Sequence, residues 1–357
     1  MFFNINPTEG HGCEIFGYGH TAISDDPNKF KLVSQKEFLE SYIPNESKEK
    51  IFGHPPPFSE EEIDGEVEKA ISKIGFKTRT FYKGTNHELA TIAAHKCLKT
   101  TGLLPSQLDA IIVGTNTGPG YPTLADRVKN ELTMLYPKDT KPFKAMCCDI
   151  TEACTVGSIA VMNGWSYIKS GLCTNVLVIL SEKATELADP KMWIEANLFG
   201  DGAAAFLLTR CEKESFLFFD VISFPENGNL TAIYKNEEGF FKQDTKKVQR
   251  FVGGTVSSYL SASLKQANLD CETVSHVIAH QPSSKTLNFL EEYIEKKLPG
   301  LKGKLHWDIV DTGNTSSVST PALISKLITK GEIKRGQTVL VTTFGAGVSI
   351  GNYAFRY

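Results

Sequence analysis

Apolar and polar positions fall into two regimes along the chain. Four short runs are rich in β-branched residues and nearly free of polar side chains: Ala110–Gly114 (AIIVG), Asn175–Leu180 (NVLVIL), Val277–Ala279 and Thr338–Thr342 (TVLVT). Unbroken apolar runs of this length predict strands covered on both faces. Longer stretches between them predict helices over Glu88–Thr100, Leu124–Leu135, Thr155–Ser170, Lys285–Lys297 and Pro321–Lys330. Strands alternating with helices predict a layered α/β fold.

The pattern also repeats. Leu108–Asn116 reads LDAIIVGTN and Val274–Pro282 reads VSHVIAHQP, each after a helix and a short polar link. Phe199–Ala203 reads FGDGA and Phe344–Val348 reads FGAGV, each between two strands. Two related halves joined near Arg210–Phe216 follow from these pairs. Lys29–Lys73 fits neither half. Its proline-rich link HPPPFS and the acidic run SEEEIDGEVEK read as a surface insertion with a solvated helix start, or as a wall over a pocket.

Composition narrows the classes. Among 357 residues, 41% are hydrophobic and 22% charged, which excludes a disordered or collagen-like chain. The net charge of −3 supplies no bulk field for nucleic acid or an anionic membrane surface. The uncharged stretch Ala153–Ile168 is too short and too polar to span a bilayer. The N-terminal residues lack the basic start and apolar core of a secretory signal. Eight scattered cysteines show no CxxC pair for zinc and no disulfide framework. The expectation is a soluble, reduced, cytoplasmic chain.

The chemistry concentrates in DITEACTVGSIAVMNGWSYIKSG, Asp149–Gly171. A helix of small and apolar residues begins directly after Cys154, and such a helix belongs inside a core. Its N-terminus aims backbone N–H groups at Cys154, which favours a thiolate nucleophile. The same segment also suits an inert buried cysteine. His280 follows a strand, where α/β folds place ligands, although a histidine there is more commonly structural. Asn314, in DTGNTSSVST, reads in isolation as a turn residue. FGDG lacks the third glycine and the acidic residue of a dinucleotide fingerprint, so its glycines read as points of close strand approach.

Taken in order, D-I-x-x-A-C (Asp149–Cys154), F-G-D-G-A (Phe199–Ala203), H-Q (His280–Gln281), G-N-T-S (Gly313–Ser316) and F-G-x-G (Phe344–Gly347) resemble the β-ketoacyl-acyl-carrier-protein synthase III family of the thiolase superfamily. The resemblance runs from about Glu88 to Tyr357. It implies a five-layered αβαβα sandwich of two pseudo-symmetric halves. Residues 1–210 would carry the nucleophile, with an insertion over about 29–73, and residues 211–357 would carry the histidine and asparagine.

The resemblance further implies that Cys154 accepts the acyl group while the N–H groups of Cys154 and Ala346 hold the oxyanion. His280 and Asn314 would then donate hydrogen bonds to the second thioester carbonyl, stabilising an enolate that attacks the acyl-cysteine. No metal or redox cofactor is needed. Tyr121, in GPGYPT, falls where the family sends an aromatic side chain into the partner's acyl pocket, which implies a homodimer.

Several positions depart from the family. Lys69 stands at the place of an adenine-stacking tryptophan and Lys73 at that of an arginine, whereas Arg79 matches a family arginine. Lysine cannot stack on adenine as an indole does, which favours an acyl carrier protein, docked through lysines such as Lys285, over acyl-coenzyme A. Thr155, Val156 and Gly157 replace the usual aromatic after the nucleophile and would reshape the substrate pocket. Glu152 replaces a small neutral residue. It is either salt-bridged scaffolding or, if buried with a raised pKa, an additional base. An extra base would suit a ketosynthase/cyclase that joins a β-ketoacyl carrier-protein thioester to an acyl thioester and closes a cyclohexanedione or resorcinol precursor. The alternatives are fatty-acid initiation and an acyltransferase on the same scaffold.

Overall fold

A computed structural model describes residues 2–5, 10–226 and 228–357. In chain order the strands are β1 (Phe2–Asn4), β2 (Gly12–His20), β3 (Phe30–Ser34), β4 (Thr78–Tyr82), β5 (Ala110–Gly114), β6 (Met146–Ile150), β7 (Asn175–Glu182), β8 (Gly202–Cys211), β9 (Phe216–Ser223), β10 (Ile233–Lys235), β11 (Phe241–Gln243), β12 (Val274–Ala279), β13 (Leu305–His306), β14 (Thr338–Gly345) and β15 (Ser349–Arg356). The helices are α1 (Gln35–Ser41), α2 (Asn45–Phe52), α3 (Glu60–Ile74), α4 (Asn86–Thr101), α5 (Leu124–Leu135), α6 (Val156–Lys169), α7 (Trp193–Ala196), α8 (Thr245–Arg250), α9 (Ser257–Gln266), α10 (Ser284–Lys297), α11 (Ile309–Thr312) and α12 (Ser319–Thr329).

Two sheets carry the fold. The first has the order β2-β8-β7-β5-β6 and the second β1-β9-β15-β14-β12-β13. Apart from β1, the second repeats the first position for position. In each, the strand next to one edge (β5, β12) has a parallel neighbour on either side, and two antiparallel strands complete the far side. The repeated sequence segments lie at matching places: LDAIIVGTN and VSHVIAHQP cover β5 and β12, FGDGA ends the β7–β8 link and leads into β8, and FGAGV leads from β14 into β15.

Helices α6 and α12 lie between the sheets. Val156, Ala160, Val161 and Ile168 of α6 and Leu323, Ile324 and Leu327 of α12 pack against Val178 and Phe206 of the first sheet and Phe219, Ile278 and Tyr353 of the second. A helix covered on both sides needs small residues. A methyl at Gly164 would sit 2.9 Å from Leu208 and Val178. Helices α4 and α5 cover the outer face of the first sheet, and α9 and α10 that of the second. The result is five layers, αβαβα.

The segment read as an insertion forms β3 and α1–α3. It has a small core of its own, in which Val33, Phe38, Leu39, Ile43 and Ala70 meet Trp193 and Ala196. Ser59 and Glu62 build a capping box at the start of α3, where three glutamates complement the helix dipole. Gly75 ends α3 at φ +86°, and its carbonyl accepts a hydrogen bond from the Ser284 hydroxyl at the start of α10 (2.8 Å). A Cβ at Gly75 would collide with Ser284, so glycine is what lets α3 dock there. Among the described residues, no helix is long and apolar enough to cross a membrane.

Candidate active site

The N-termini of the two central helices converge on one cavity of about 590 Å³. Cys154, His280, Asn314, Ser316, Phe344 and Ala346 all line it. Cys154 sits in a single helical turn, Ala153–Thr155, that leads into α6. Ala153 before it has φ +46°, a conformation costly for a residue with a Cβ and therefore one its neighbours must hold. Asn116 does so, donating from Nδ2 to the Ala153 carbonyl (2.9 Å). Asn116 is held in turn by Glu182, which accepts from its amide N–H (2.9 Å) and from Nδ2 (2.7 Å). Glu182 is fully buried at the end of β7 and also accepts from Ser317 (2.7 Å) and Thr117 (3.0 Å). One carboxylate thus ties the nucleophile's turn to the segment that carries Asn314. Burial still pushes its pKa up.

Asp149 does a different job. Its carboxylate accepts from Leu124 N–H (2.7 Å) and Ala125 N–H (2.9 Å), closing the open N-terminus of α5 beside the Tyr121 loop.

Burial pushes the Cys154 thiol up to about 12, which favours the thiol over the thiolate expected from a helix N-terminus. Desolvation is the main cause and the buried Glu182 carboxyl adds to it, while the N–H groups of Thr155 and Val156 bond to the carbonyls of Glu152 and Ala153. The group that opposes burial is Ser316, whose Oγ lies 3.6 Å from Sγ.

His280 follows β12, with its N–H on the Thr342 carbonyl (2.9 Å) and its ring edge-on to Phe344 (5.4 Å). Nδ1 lies 2.9 Å from Ser319 Oγ. Burial pushes its pKa down to about 3, so the ring is neutral. Asn314 is locked by backbone bonds to the FGDG link: its N–H reaches Leu198 O (2.9 Å) and its carbonyl accepts from Gly200 (3.0 Å). Gly200 is required there because a Cβ would fall 2.0 Å from the Thr312 carbonyl. The side-chain oxygen of Asn314 accepts from Ser316 N–H (2.8 Å), which turns the amide NH₂ the other way. Gly345 lets β14 approach closely, since a Cβ on it would lie 2.8 Å from the Cys154 backbone nitrogen.

The remaining sequence-derived candidates separate. Lys285 lines the cavity at the start of α10, and Lys73 at the end of α3. Lys69 points away and pairs with Glu66. Arg79 has no exposed surface. Its guanidinium donates to Ala196 O (3.1 Å), Gln35 and Asn197 and lies over the Phe38 ring, so it joins the insertion to the Trp193 segment and presents nothing to a substrate. Thr155, Val156 and Gly157 are buried behind the cavity wall, Thr155 bonding Ser349 (2.8 Å). Glu152 lies outside the cavity lining, only part-buried, and accepts from Ser223 (3.4 Å). Among the described residues Glu152 makes no salt bridge and is not deeply buried, which speaks against both readings of it from the sequence. Tyr121 is 96% exposed on its own chain.

Sequence reasoning missed the opposite wall. The β10–β11 hairpin and the helical segment after it contribute Tyr234, Lys235, Phe241, Val248, Phe251 and Val252. Lys235 reaches across to the Asn116 carbonyl. Ser316 and Glu182 were missed as well. Glu182 carries no local signal, because a glutamate ending a strand normally faces water.

A thiol, a neutral imidazole and an oriented amide in one mostly apolar cavity can accept an acyl group and stabilise an enolate. The comparisons agree. The sequence profiles of 3-oxoacyl-[acyl-carrier-protein] synthase III and of its C-terminal region match residues 148–224 and 264–357. Beta-ketoacyl-[acyl-carrier-protein] synthase III of Aquifex aeolicus is 31% identical over 300 residues, covering 83% of this chain and 92% of the relative. The chain belongs to the 3-oxoacyl-[acyl-carrier-protein] synthase III family. It is a condensing enzyme of the acyltransferase type. A crystal structure of the synthase III from A. aeolicus superposes with a TM-score of 0.78 at 27% identity, covering 97% of this chain and all of the other. The priming β-ketosynthase of the R1128 polyketide pathway shares the fold, with a TM-score of 0.77 at 21% identity over 99% of this chain and 98% of its own.

Proposed function

We propose that the enzyme loads an acyl group from a thioester onto Cys154 and joins it to a malonyl- or β-ketoacyl-carrier-protein thioester by a Claisen-type condensation. The observation that carries this reading is the convergence of Cys154, His280 and Asn314 on one cavity from the starts of α6, the end of β12 and the turn before α12. Asn314 Nδ2, oriented by the bond from Ser316 N–H to Oδ1, is a standing donor for a thioester oxygen. The N–H groups of Cys154 and Ala346, brought close by Gly345, would hold the tetrahedral oxyanion. We propose that the two halves meet near Arg210–Phe216, a reading supported by the link there from β8 of one sheet to β9 of the other.

The acyl donor is proposed to be carrier-bound. Lys73, Lys235 and Lys285 line the cavity with no carboxylate beside them in the lining, and Phe289 at its edge is half exposed. That surface fits an acidic carrier protein whose pantetheine arm enters the cavity. The cavity's volume and aromatic lining favour a bulky acyl group, and with it specialised polyketide-like metabolism, over two-carbon fatty-acid initiation. Closing a cyclohexanedione or resorcinol ring would need a second enolisation within this cavity, where Glu152 does not reach. We propose a homodimer as the working form, with Tyr121 crossing to the partner.

Intact mass after incubation with acyl-coenzyme A and acyl-carrier-protein thioesters tests the reading. Wild type should gain one acyl mass and Cys154→Ala none. Asn314→Ala should load and then fail to condense with malonyl- or β-ketoacyl-carrier protein. Failure of Asn314→Ala to load would overturn this division of roles.

A further inference from the structure

We propose that Ser319 is a positioning residue that holds His280 as its Nδ1–H tautomer, leaving Nε2 on the cavity side as a proton acceptor. The argument is one of counting protons. Ser319 Oγ has three neighbours: the Ser316 carbonyl at 3.0 Å, the Gln281 backbone N–H at 3.4 Å and His280 Nδ1 at 2.9 Å. A carbonyl can only accept and an amide N–H can only donate, while a hydroxyl carries a single proton. The bond to the carbonyl three residues back is the local one a serine makes at the start of a helix, and Ser319 is the first residue of α12. It therefore takes the hydroxyl proton. The lone pairs are left for Gln281 and His280, and Nδ1 must bring its own hydrogen. A neutral ring has only one, so Nε2 is bare.

The backbone around this contact is fixed. Gln281 is buried, donates from Nε2 to Ala279 O (2.9 Å) and accepts from Asp308 N–H (3.0 Å), and Ser316, whose carbonyl takes the Ser319 proton, holds φ +53°. Among the described residues no charged group acts on His280 to hold it protonated, and desolvation lowers its pKa.

This inference rests on the acyl-loading reading above and deepens it. A bare Nε2 takes the proton from the Cys154 thiol. Burial disfavours each charge by itself, but the thiolate and imidazolium form side by side, where their attraction is strong. Sγ attacks the thioester carbon, the carbon–sulfur bond to the carrier breaks, and the departing thiolate takes the proton from Nε2. In the second half-reaction Nε2 removes the α-proton of a β-ketoacyl donor, and the electron pair moves to the thioester oxygen. The new Nε2–H then donates to that enolate oxygen beside Asn314 Nδ2. The enolate carbon attacks acyl-Cys154, the Sγ–acyl bond breaks, and Sγ recovers the proton from Nε2. The base sought in Glu152 is in this way His280 itself.

The test is nitrogen-15 NMR of the protein labelled at its eight histidines, with His280 assigned by its loss in His280→Asn. Wild type should show an unprotonated Nε2 and a protonated Nδ1, Ser319→Thr should preserve that signature, and Ser319→Ala should lose it. Loading of Cys154, followed by intact mass, should slow about tenfold in Ser319→Ala, the loss of one hydrogen bond to a charged ring, and recover in Ser319→Thr. A protonated Nε2 in wild type, or a Ser319→Ala variant with unchanged tautomer and loading, overturns the proposal. Should no thioester load the wild type, the acyl-transfer reading falls, while the wild-type spectrum still decides the tautomer. That spectrum needs no variant to fold.

Discussion

Ser316 touches the sulfur, and this is where residue-scale chemistry is most exposed to test. Its Oγ is buried 3.6 Å from Cys154 Sγ and, among the described residues, otherwise receives one long contact from Asn116 Nδ2 (3.4 Å), so its own proton can go to the sulfur. Donation to Sγ stabilises the thiolate over the thiol. Ser316→Ala should push the Cys154 pKa further up and slow alkylation by iodoacetamide at pH 8 roughly two- to tenfold, the range for one neutral hydrogen bond. Rates followed by intact mass across pH 7 to 10 decide it; a profile that superposes on wild type removes Ser316 from the chemistry. The resemblance carried by their motifs put Cys154, His280 and Asn314 together, and all three line one cavity, whereas each read alone also suited an inert cysteine, a structural histidine and a turn residue. Ser316 lay inside one of those motifs, G-N-T-S, but a serine in a polar turn gives no sign of which atom it will touch. Arg79 illustrates the converse: its place in a family pattern was readable, whereas its burial depends on Gln35 and Asn197, residues 44 and 118 positions away.

At the scale of elements, strands buried on both faces were readable from their apolar runs. All five residues of β5 and all eight of β14 are buried. Strands with one wet face, such as β2, and the three-residue strands β10 and β11 have no comparable run, so the hairpin wall of the cavity went unread. The edge strand β6 shows what such an element is for. Among the described residues it pairs with β5 alone, at the edge of its sheet, and Met146 at its start is half exposed. Native proteins cover or blunt an edge of this kind. A second copy pairing along β6 would cover it and bury Tyr121, which α5 and Asp149 hold nearby. The protein should sediment at twice the chain mass. If Tyr121 completes the partner's cavity, Tyr121→Ala mixed with Cys154→Ala should regain loading in mixed dimers, since one of the two sites then has both residues intact. A monomer at micromolar concentration, or no complementation on mixing, would sink the composite site.

At the scale of the whole molecule, the repeat visible in four short segments reflects two sheets with the same strand order, because a buried strand and its following link leave the same trace wherever they occur. The crossing of β1 to the second sheet left no trace, being three residues paired with β9 more than two hundred positions away. The packing of both sheets onto α12 has a measurable consequence. His20 of β2 places Nδ1 2.8 Å from Ser325 Oγ of α12, and burial, with repulsion from Lys96 and Lys326 outweighing Asp25, pushes its pKa down to about 4. Unfolded, it titrates near 6.5. Between those values the unfolded chain binds a proton that the native chain does not, so stability rises with pH across the window and is lost as pH falls from 6.5 toward 4. Each such group contributes a slope of at most about 1.4 kcal/mol per pH unit. His20→Asn, which keeps a polar atom near the place of Nδ1 but cannot titrate, should flatten the pH dependence of urea stability between pH 6 and 4.5 by about one proton relative to wild type. Parallel pH profiles for the two proteins would mean that His20 is protonated in the native state and that the contact between β2 and α12 does not exclude its charge.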